Sequence, residues 1–308
     1  MLFKNVTVYG GGLIGGAWAT VFAKAGLNLT VYDVNEERLE DSKHHIQKML
    51  NFFADPEVQV LTQDQADAFL NAIKFTDNVR EAVENAEFIQ ENTPERLPIK
   101  QSVIEAIEEW NTTAIISSST SGLLVTDIQA NAKHPERIVA GHPFNPVHLM
   151  PLVEVCAGDK TSAKVVADTA AFYDQIGKVG VILDKETPAF IVNRLQRALS
   201  NEVRAIIEEG ICSVEALDNA SVFGFGMRLG LIGPLMVNEL AGGDGGFDEF
   251  VAKYMRGDRP DAEYYHVASA GVKAELNNRA PEFGNDHFSL ERFRDLGLIN
   301  LLKLHKKL

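Results

Sequence analysis

Cysteine is scarce in this chain. Cys156 and Cys212 are the only two in 308 residues and they form no CxxC pair, which excludes a disulfide framework and points to a reducing, cytoplasmic compartment. Neither reads as a metal ligand, and no metal is expected. Long apolar runs are missing too: none approaches the ~20 residues needed to span a bilayer. The N-terminal MLFKNVTVYGGG goes straight into a strand pattern, without the basic and then apolar sequence of a signal peptide. Positive charge is in short supply, since 29 Lys and Arg face 43 Asp and Glu for a formal charge of −14. Nucleic acid or an anionic membrane would need a local basic patch, and none is evident. The expected partner is a small molecule.

What is present is ordinary for a globular chain, with 45% hydrophobic and 23% charged residues. Short β-rich runs alternate with stretches at helical spacing: NVTVYG, LIGGAWATVFAKAG, LNLTVYDV and NEERLEDSKHHIQKMLNFF make a βαβ unit. Further candidate strands lie at 73–76, 86–92, 113–119, 137–142, 152–155 and 178–184, mostly with helical patterns between them. The alternation predicts an α/β fold built on a doubly wound sheet. After KETPAFIVNRL the pattern changes. IVNRLQRALSNEVRAIIEEG keeps helical spacing up to a glycine that can cap it, and no convincing strand follows. Two domains are therefore expected, 1–186 and an all-α 187–308. The boundary is placed near Lys185 to Pro188, with Pro188 in the first turn of a long helix.

VYGGGLIG sets Gly10, Gly12 and Gly15 at GxGxxG spacing, after the first strand and opening the first helix. The first glycine permits a tight turn, the second lets backbone approach a pyrophosphate, and the third lets helix and strand pack closely. A helix N-terminus then faces the anion. Asp33 ends the second strand, 18 residues after Gly15, where a carboxylate can accept both adenosine ribose hydroxyls and repel a 2′-phosphate. The spacing alone is modest evidence; strand, glycines, helix, strand and acid in order predict a Rossmann-type domain that uses NAD rather than NADP.

AGHPFNPVHLMPLVEV, residues 140–155, puts His142 at a strand end and Glu154 inside the next apolar run. Imidazole suits a base that removes a hydroxyl proton at neutral pH. Ligands of open α/β sheets bind beyond the strands' carboxyl ends, and a carboxylate on the following strand could fix the imidazole tautomer. On these residues alone, a turn histidine and a solvated edge-strand acid are equally good readings. His44, His45, His134, His266, His287 and His305 sit in polar surroundings and read as solvated, whereas His148 is a positional rival.

The glycine loop, ENTPERLPIK, SSSTSGL, GHPFNPVHLMPLVEV and PAFIVNRL, in this order over nearly the whole chain, resemble the L-3-hydroxyacyl-CoA dehydrogenases. The resemblance implies an NAD-dependent dehydrogenase and a homodimer whose helical domain supplies an interface and a wall of the site. It places the family's catalytic pair on His142 and Glu154, its substrate-oxygen serine on Ser121, its active-site asparagine on Asn193, and contacts near the nicotinamide on Glu95 and Lys100. Without it, Ser121 is a serine-rich strand end, Asn193 a helix-surface amide, and Glu95 and Lys100 solvated helix charges.

One departure bears on the substrate. Relatives acting on CoA thioesters carry a lysine-rich helix after the second strand, but residues 50–73 here contain no Lys or Arg, so CoA phosphates would find little attraction. The motifs are most similar to the branch that holds L-carnitine dehydrogenase, L-gulonate 3-dehydrogenase and lambda-crystallin, which implies a small free 3-hydroxy acid. Arg197 or Arg228 would then meet its carboxylate, and Phe144, Phe190, Phe223 and Phe225 are the aromatics available to a trimethylammonium head. Two other readings stay open: a 3-hydroxyacyl-CoA substrate, and a non-catalytic NAD-binding or structural protein on the same scaffold.

Overall fold

A computed structural model of the chain describes residues 1–255 and 262–308. Eight strands form a single sheet: β1 (Asn5–Tyr9), β2 (Asn28–Tyr32), β3 (Lys74–Thr76), β4 (Phe88–Glu91), β5 (Ile115–Ser118), β6 (Ile138–Pro143), β7 (Leu152–Ala157) and β8 (Val179–Leu183). Their order is β3-β2-β1-β4-β5-β6-β7-β8. Neighbours run parallel, except that β6 and β7 are antiparallel. The strand order reverses between β1 and β4, the place where open α/β sheets bind ligands.

Helices pack on this sheet because their apolar faces need cover. Helix Leu13–Lys24 is buried from Gly15 to Ala23, as expected of a helix apolar all round. Its Trp18 is fully enclosed, stacked on Phe22 at 5.2 Å and on Tyr173 of helix Ala163–Gln175 at 5.3 Å. Each such side chain contributes about 1.5–3 kcal/mol by leaving water. Helix Glu36–Ala54 starts where Asn35 accepts a hydrogen bond from Arg38 N at 2.9 Å, with Glu36 and Glu37 in its first turn.

The chain divides into two compact units, Met1–Ala198 and Leu199–Leu308. The division falls inside the long helix Val192–Glu208. Pro188 does not open that helix as expected, because Ala189 and Phe190 follow it at φ 65° and 50°, outside any right-handed helical path. Gly210, at φ 68°, does lie just beyond the helix end.

The second unit is helical, with no strand among the described residues. Helices Pro234–Ala241, Gly246–Tyr254, Glu263–Asn278 and His287–Leu304 enclose Met236, Phe247, Val272 and Leu290. His287 departs from the solvated reading, since it is half-buried with Nδ1 3.5 Å from Glu239. Among the described residues no single helix is long and apolar enough to cross a membrane.

Candidate active site

The glycine loop leaves β1 with Gly10 at φ +92°, a conformation side-chain-bearing residues rarely adopt. A Cβ on Gly15 would sit 1.8 Å from the Gly10 carbonyl oxygen, so only glycine fits where the helix meets the turn, whereas the space in front of Gly12 is open. The same turn lies against the chain leaving β4, with the Cβ direction of Gly10 3.2 Å from the Asn92 carbonyl. Asp33 accepts hydrogen bonds from Gly11 N at 2.9 Å and Val34 N at 2.8 Å. Its carboxylate is thus fixed beside the loop, with acceptor capacity left for hydroxyl groups. This arrangement fits a dinucleotide.

The antiparallel pairing sets His142 of β6 directly opposite Glu154 of β7. Residues opposite one another project from the same face, and His142 Nδ1 meets Glu154 Oε2 at 2.8 Å, with both side chains buried. The second carboxylate oxygen, Oε1, accepts hydrogen bonds from Ile191 N at 2.9 Å and Val192 N at 3.0 Å. These are donors at the start of the long helix, where a negative charge is favoured. The left-handed Ala189 and Phe190 bring those N–H groups round, and such strain persists where surrounding contacts over-determine it. Phe190, almost fully buried, stacks on the imidazole at 5.1 Å, and Phe144 meets its edge at 4.7 Å. With Nδ1 given to Glu154, Nε2 has no hydrogen-bond partner among the described residues. A neutral ring that donates from Nδ1 presents a lone pair at Nε2.

His142 lines a cavity of about 580 Å³, together with Ile14, Asn92, Glu95, Ser121, Phe144 and Asn193. Asn193 donates from Nδ2 to the Ser121 carbonyl at 3.3 Å. An imidazole held by an acid, Ser121, Asn193 and Ile14 from the helix that follows the glycine turn thus share a single space.

Residues 5–187 match the 3-hydroxyacyl-CoA dehydrogenase NAD-binding domain, and residues 190–281 match the C-terminal domain of the same enzymes. The chain belongs to the 3-hydroxyacyl-CoA dehydrogenase family. L-Carnitine dehydrogenase of Oceanobacillus iheyensis is 34% identical over 308 residues, covering 98% of both chains. The L-carnitine dehydrogenase/betainyl-CoA thioesterase of Rhizobium meliloti is 36% identical over 303 residues, covering 95% of this chain; this chain spans 59% of that relative's length. Among solved structures, 3-hydroxybutyryl-CoA dehydrogenase of Escherichia coli K12 is 30% identical with a TM-score of 0.67, covering 78% of this chain and 49% of the other. As in the rest of the 3-hydroxyacyl-CoA dehydrogenase family, the N-terminal domain serves NAD.

Within this family member, Lys100 is not a solvated helix charge but is buried next to the cavity-lining Glu95, 3.6 Å from its Oε2. Its ammonium is 1% exposed, 2.9 and 3.1 Å from the two Glu91 carboxylate oxygens and 3.2 Å from the Thr93 carbonyl. Its three donors thus meet acceptors within the protein. Glu95 does line the cavity, but its Oε1 accepts hydrogen bonds from the Thr120 hydroxyl at 2.7 Å, Ser121 N and Gly122 N at 2.9 Å, and Leu123 N at 3.3 Å. Burial pushes the Glu95 carboxyl upward, but the Thr120 hydroxyl, Lys100 and the loop N–H groups outweigh it and hold the group below the ordinary glutamate range.

His148 lies in a separate cavity of about 400 Å³ with Lys24 and Lys178. Burial, then Lys178 and Lys24, hold its imidazole below the ordinary histidine value. Arg197 is exposed and does not line the site cavity; Arg228 is exposed in the second unit, as are Phe223 and Phe225. Sequence reasoning missed Asn92, Thr93, Ser119, Asn145 and Gln196, which also line the cavity. The first four lie inside the motifs ENTPERLPIK, SSSTSGL and GHPFNP, so the motifs themselves held the signal; for Gln196 there was none.

Proposed function

We propose that this protein oxidises the 3-hydroxyl of a small L-3-hydroxy acid, carnitine- or gulonate-like, to the 3-keto acid, with His142 as general base. The observation that carries the reading is the Glu154-bound imidazole whose Nε2 is unpartnered in a cavity it shares with Ser121 and Asn193. NAD held by the loop at Gly10, Gly12 and Gly15 and by Asp33 supplies the hydride acceptor. His142 Nε2 takes the hydroxyl proton, and Glu154, fixed by two backbone N–H groups, stabilises the imidazolium that forms. Ser121 and Asn193 donate hydrogen bonds to the reacting oxygen or the neighbouring carboxyl, which holds the carbinol carbon in place. The reverse reduction uses the same groups.

A free acid is favoured over a CoA ester by the absence of Lys and Arg from residues 50–73 and by the full-length likeness to an L-carnitine dehydrogenase. The likeness to 3-hydroxybutyryl-CoA dehydrogenase supports the CoA ester as the second reading. The deciding experiment follows NADH absorbance with acetoacetyl-CoA, dehydrocarnitine, 3-hydroxybutyrate and gulonate, each in the direction it allows. The free acids are expected to lead in kcat/KM. Preference for acetoacetyl-CoA would transfer the assignment to the CoA ester, and silence across the panel would leave an NAD-binding or structural protein. A cytoplasmic homodimer belongs to the same reading, and light scattering at micromolar concentration checks the dimer.

A further inference from the structure

We propose that the cavity bounded by Lys24, His148, Gln175 and Lys178 is a second ligand site, which takes the phosphoryl group of a small phosphomonoester. This cavity of about 400 Å³ is separate from the one that holds His142, and no Asp or Glu lines it among the described residues. The chain as a whole carries a formal charge of −14. A cleft lined by one sign of charge nevertheless sets its own local field, and here that sign is positive.

Each polar group around the cavity has donor capacity left over. Lys178, 8% exposed, donates to the carbonyls of Val147 and Met150, the latter at 2.8 Å, which leaves one of its three ammonium N–H groups. The Lys24 ammonium stands 3.5 Å from the centre of the Phe53 ring, with neither a hydrogen bond nor a carboxylate partner among the described residues. Gln175 accepts from Leu2 N at 2.7 Å through Oε1, so its amide N–H groups remain available. His148 Nδ1 is buried without a partner, a state that costs free energy until something fills it. No carboxylate balances the two lysines. Burial, then Lys24, push Lys178 down to about 8, and Asp174, the nearest acid in sequence, accepts from Gly180 N at 2.9 Å and does not line the cavity.

Two ammonium groups, an amide and an imidazole suit the several oxygens and near-double charge of a phosphomonoester better than a carboxylate. The volume falls within the range of small-molecule sites, about 300–1,000 Å³, and Val21, Leu149 and Ile176 offer apolar wall to the organic part.

Isothermal titration of the NAD-saturated full chain with glycerol 3-phosphate, inorganic phosphate and acetate, at neutral pH and constant ionic strength, tests the proposal. Saturating NAD keeps the probes off the glycine turn. Glycerol 3-phosphate should bind most tightly, and Lys24→Gln should weaken its Kd by about 10- to 100-fold, the worth of one hydrogen bond to a charged group. Turnover and NAD affinity of Lys24→Gln should match the wild type, since Lys24 lies outside the His142 cavity. Lys24→Gln is preferred to a Lys178 variant because Lys178 holds two loop carbonyls that folding needs. Amide exchange should slow at residues 147–151 and 175–178 when glycerol 3-phosphate is bound. Inorganic phosphate bound equally tightly would overturn the ester and make the free ion the occupant. No binding of either phosphate, acetate bound as tightly, unchanged affinity in Lys24→Gln, or slowed exchange at the glycine turn alone would overturn the site.

Discussion

At the scale of single residues, His142 is held as a base is held in other acid–imidazole pairs: one nitrogen bound to a buried carboxylate, the other without a protein partner. Replacing His142 by Ala should lower kcat by between about 100- and 10,000-fold, the usual contribution of a general base. The Kd for NAD should stay within about threefold by titration, because no contact of the glycine loop or Asp33 is touched. A variant that turns over at the wild-type rate would remove His142 from the mechanism. Asp33 is the residue expected to set the cofactor preference. Its carboxylate is fixed by Gly11 and Val34, so a 2′-phosphate there would meet a like charge, and NADP should bind at least about tenfold more weakly than NAD in parallel titrations. The strand-end position of each was legible in the sequence from the alternation of strands and helices, but for His142 a turn histidine was an equal reading until the family resemblance was added. The burial of Lys100 was not legible, since a lysine in a helical pattern reads as solvated until the acid beneath it is seen.

At the scale of elements, the antiparallel β6–β7 pair decides the geometry. Parallel pairing needs a crossover of about a dozen residues or more, and only residues 144–151 separate these strands. The shortness of that connection was a signal in the sequence for antiparallel pairing, while the register that sets His142 opposite Glu154 comes from the assembled sheet. Helix Leu97–Glu108 contributes Lys100 to the buried pair with Glu91, and removing one member strands the other's charge. Lys100→Met should therefore lower stability by about 3–5 kcal/mol in chemical denaturation, and Lys100→Met/Glu91→Met should regain much of it. If the single variant unfolds at the wild-type denaturant midpoint, the pair is not holding the 91–95 segment.

For the whole molecule, Gly10, Gly12, Gly15 and Asp33, the residues proposed to hold NAD, all belong to the Met1–Ala198 unit. NAD at about 100 times its Kd should stabilise that unit by about 2.7 kcal/mol. Hydrogen exchange should show this protection in core strands β1, β4 and β5; its absence there would place cofactor binding elsewhere. The sequence by itself determined the order of strands and helices, the glycine turn and the family, because periodicity, backbone sterics and turn chemistry act between near neighbours in the chain. Only the tertiary structure decided that Glu154 meets His142 and the start of a helix together, that one oxygen of Glu95 collects the N–H groups of the serine loop, and that Lys100 is buried against Glu91. Those contacts join residues 12, 37, 26 and 9 positions apart, and they depend on strand register and burial, which exist once the sheet is assembled.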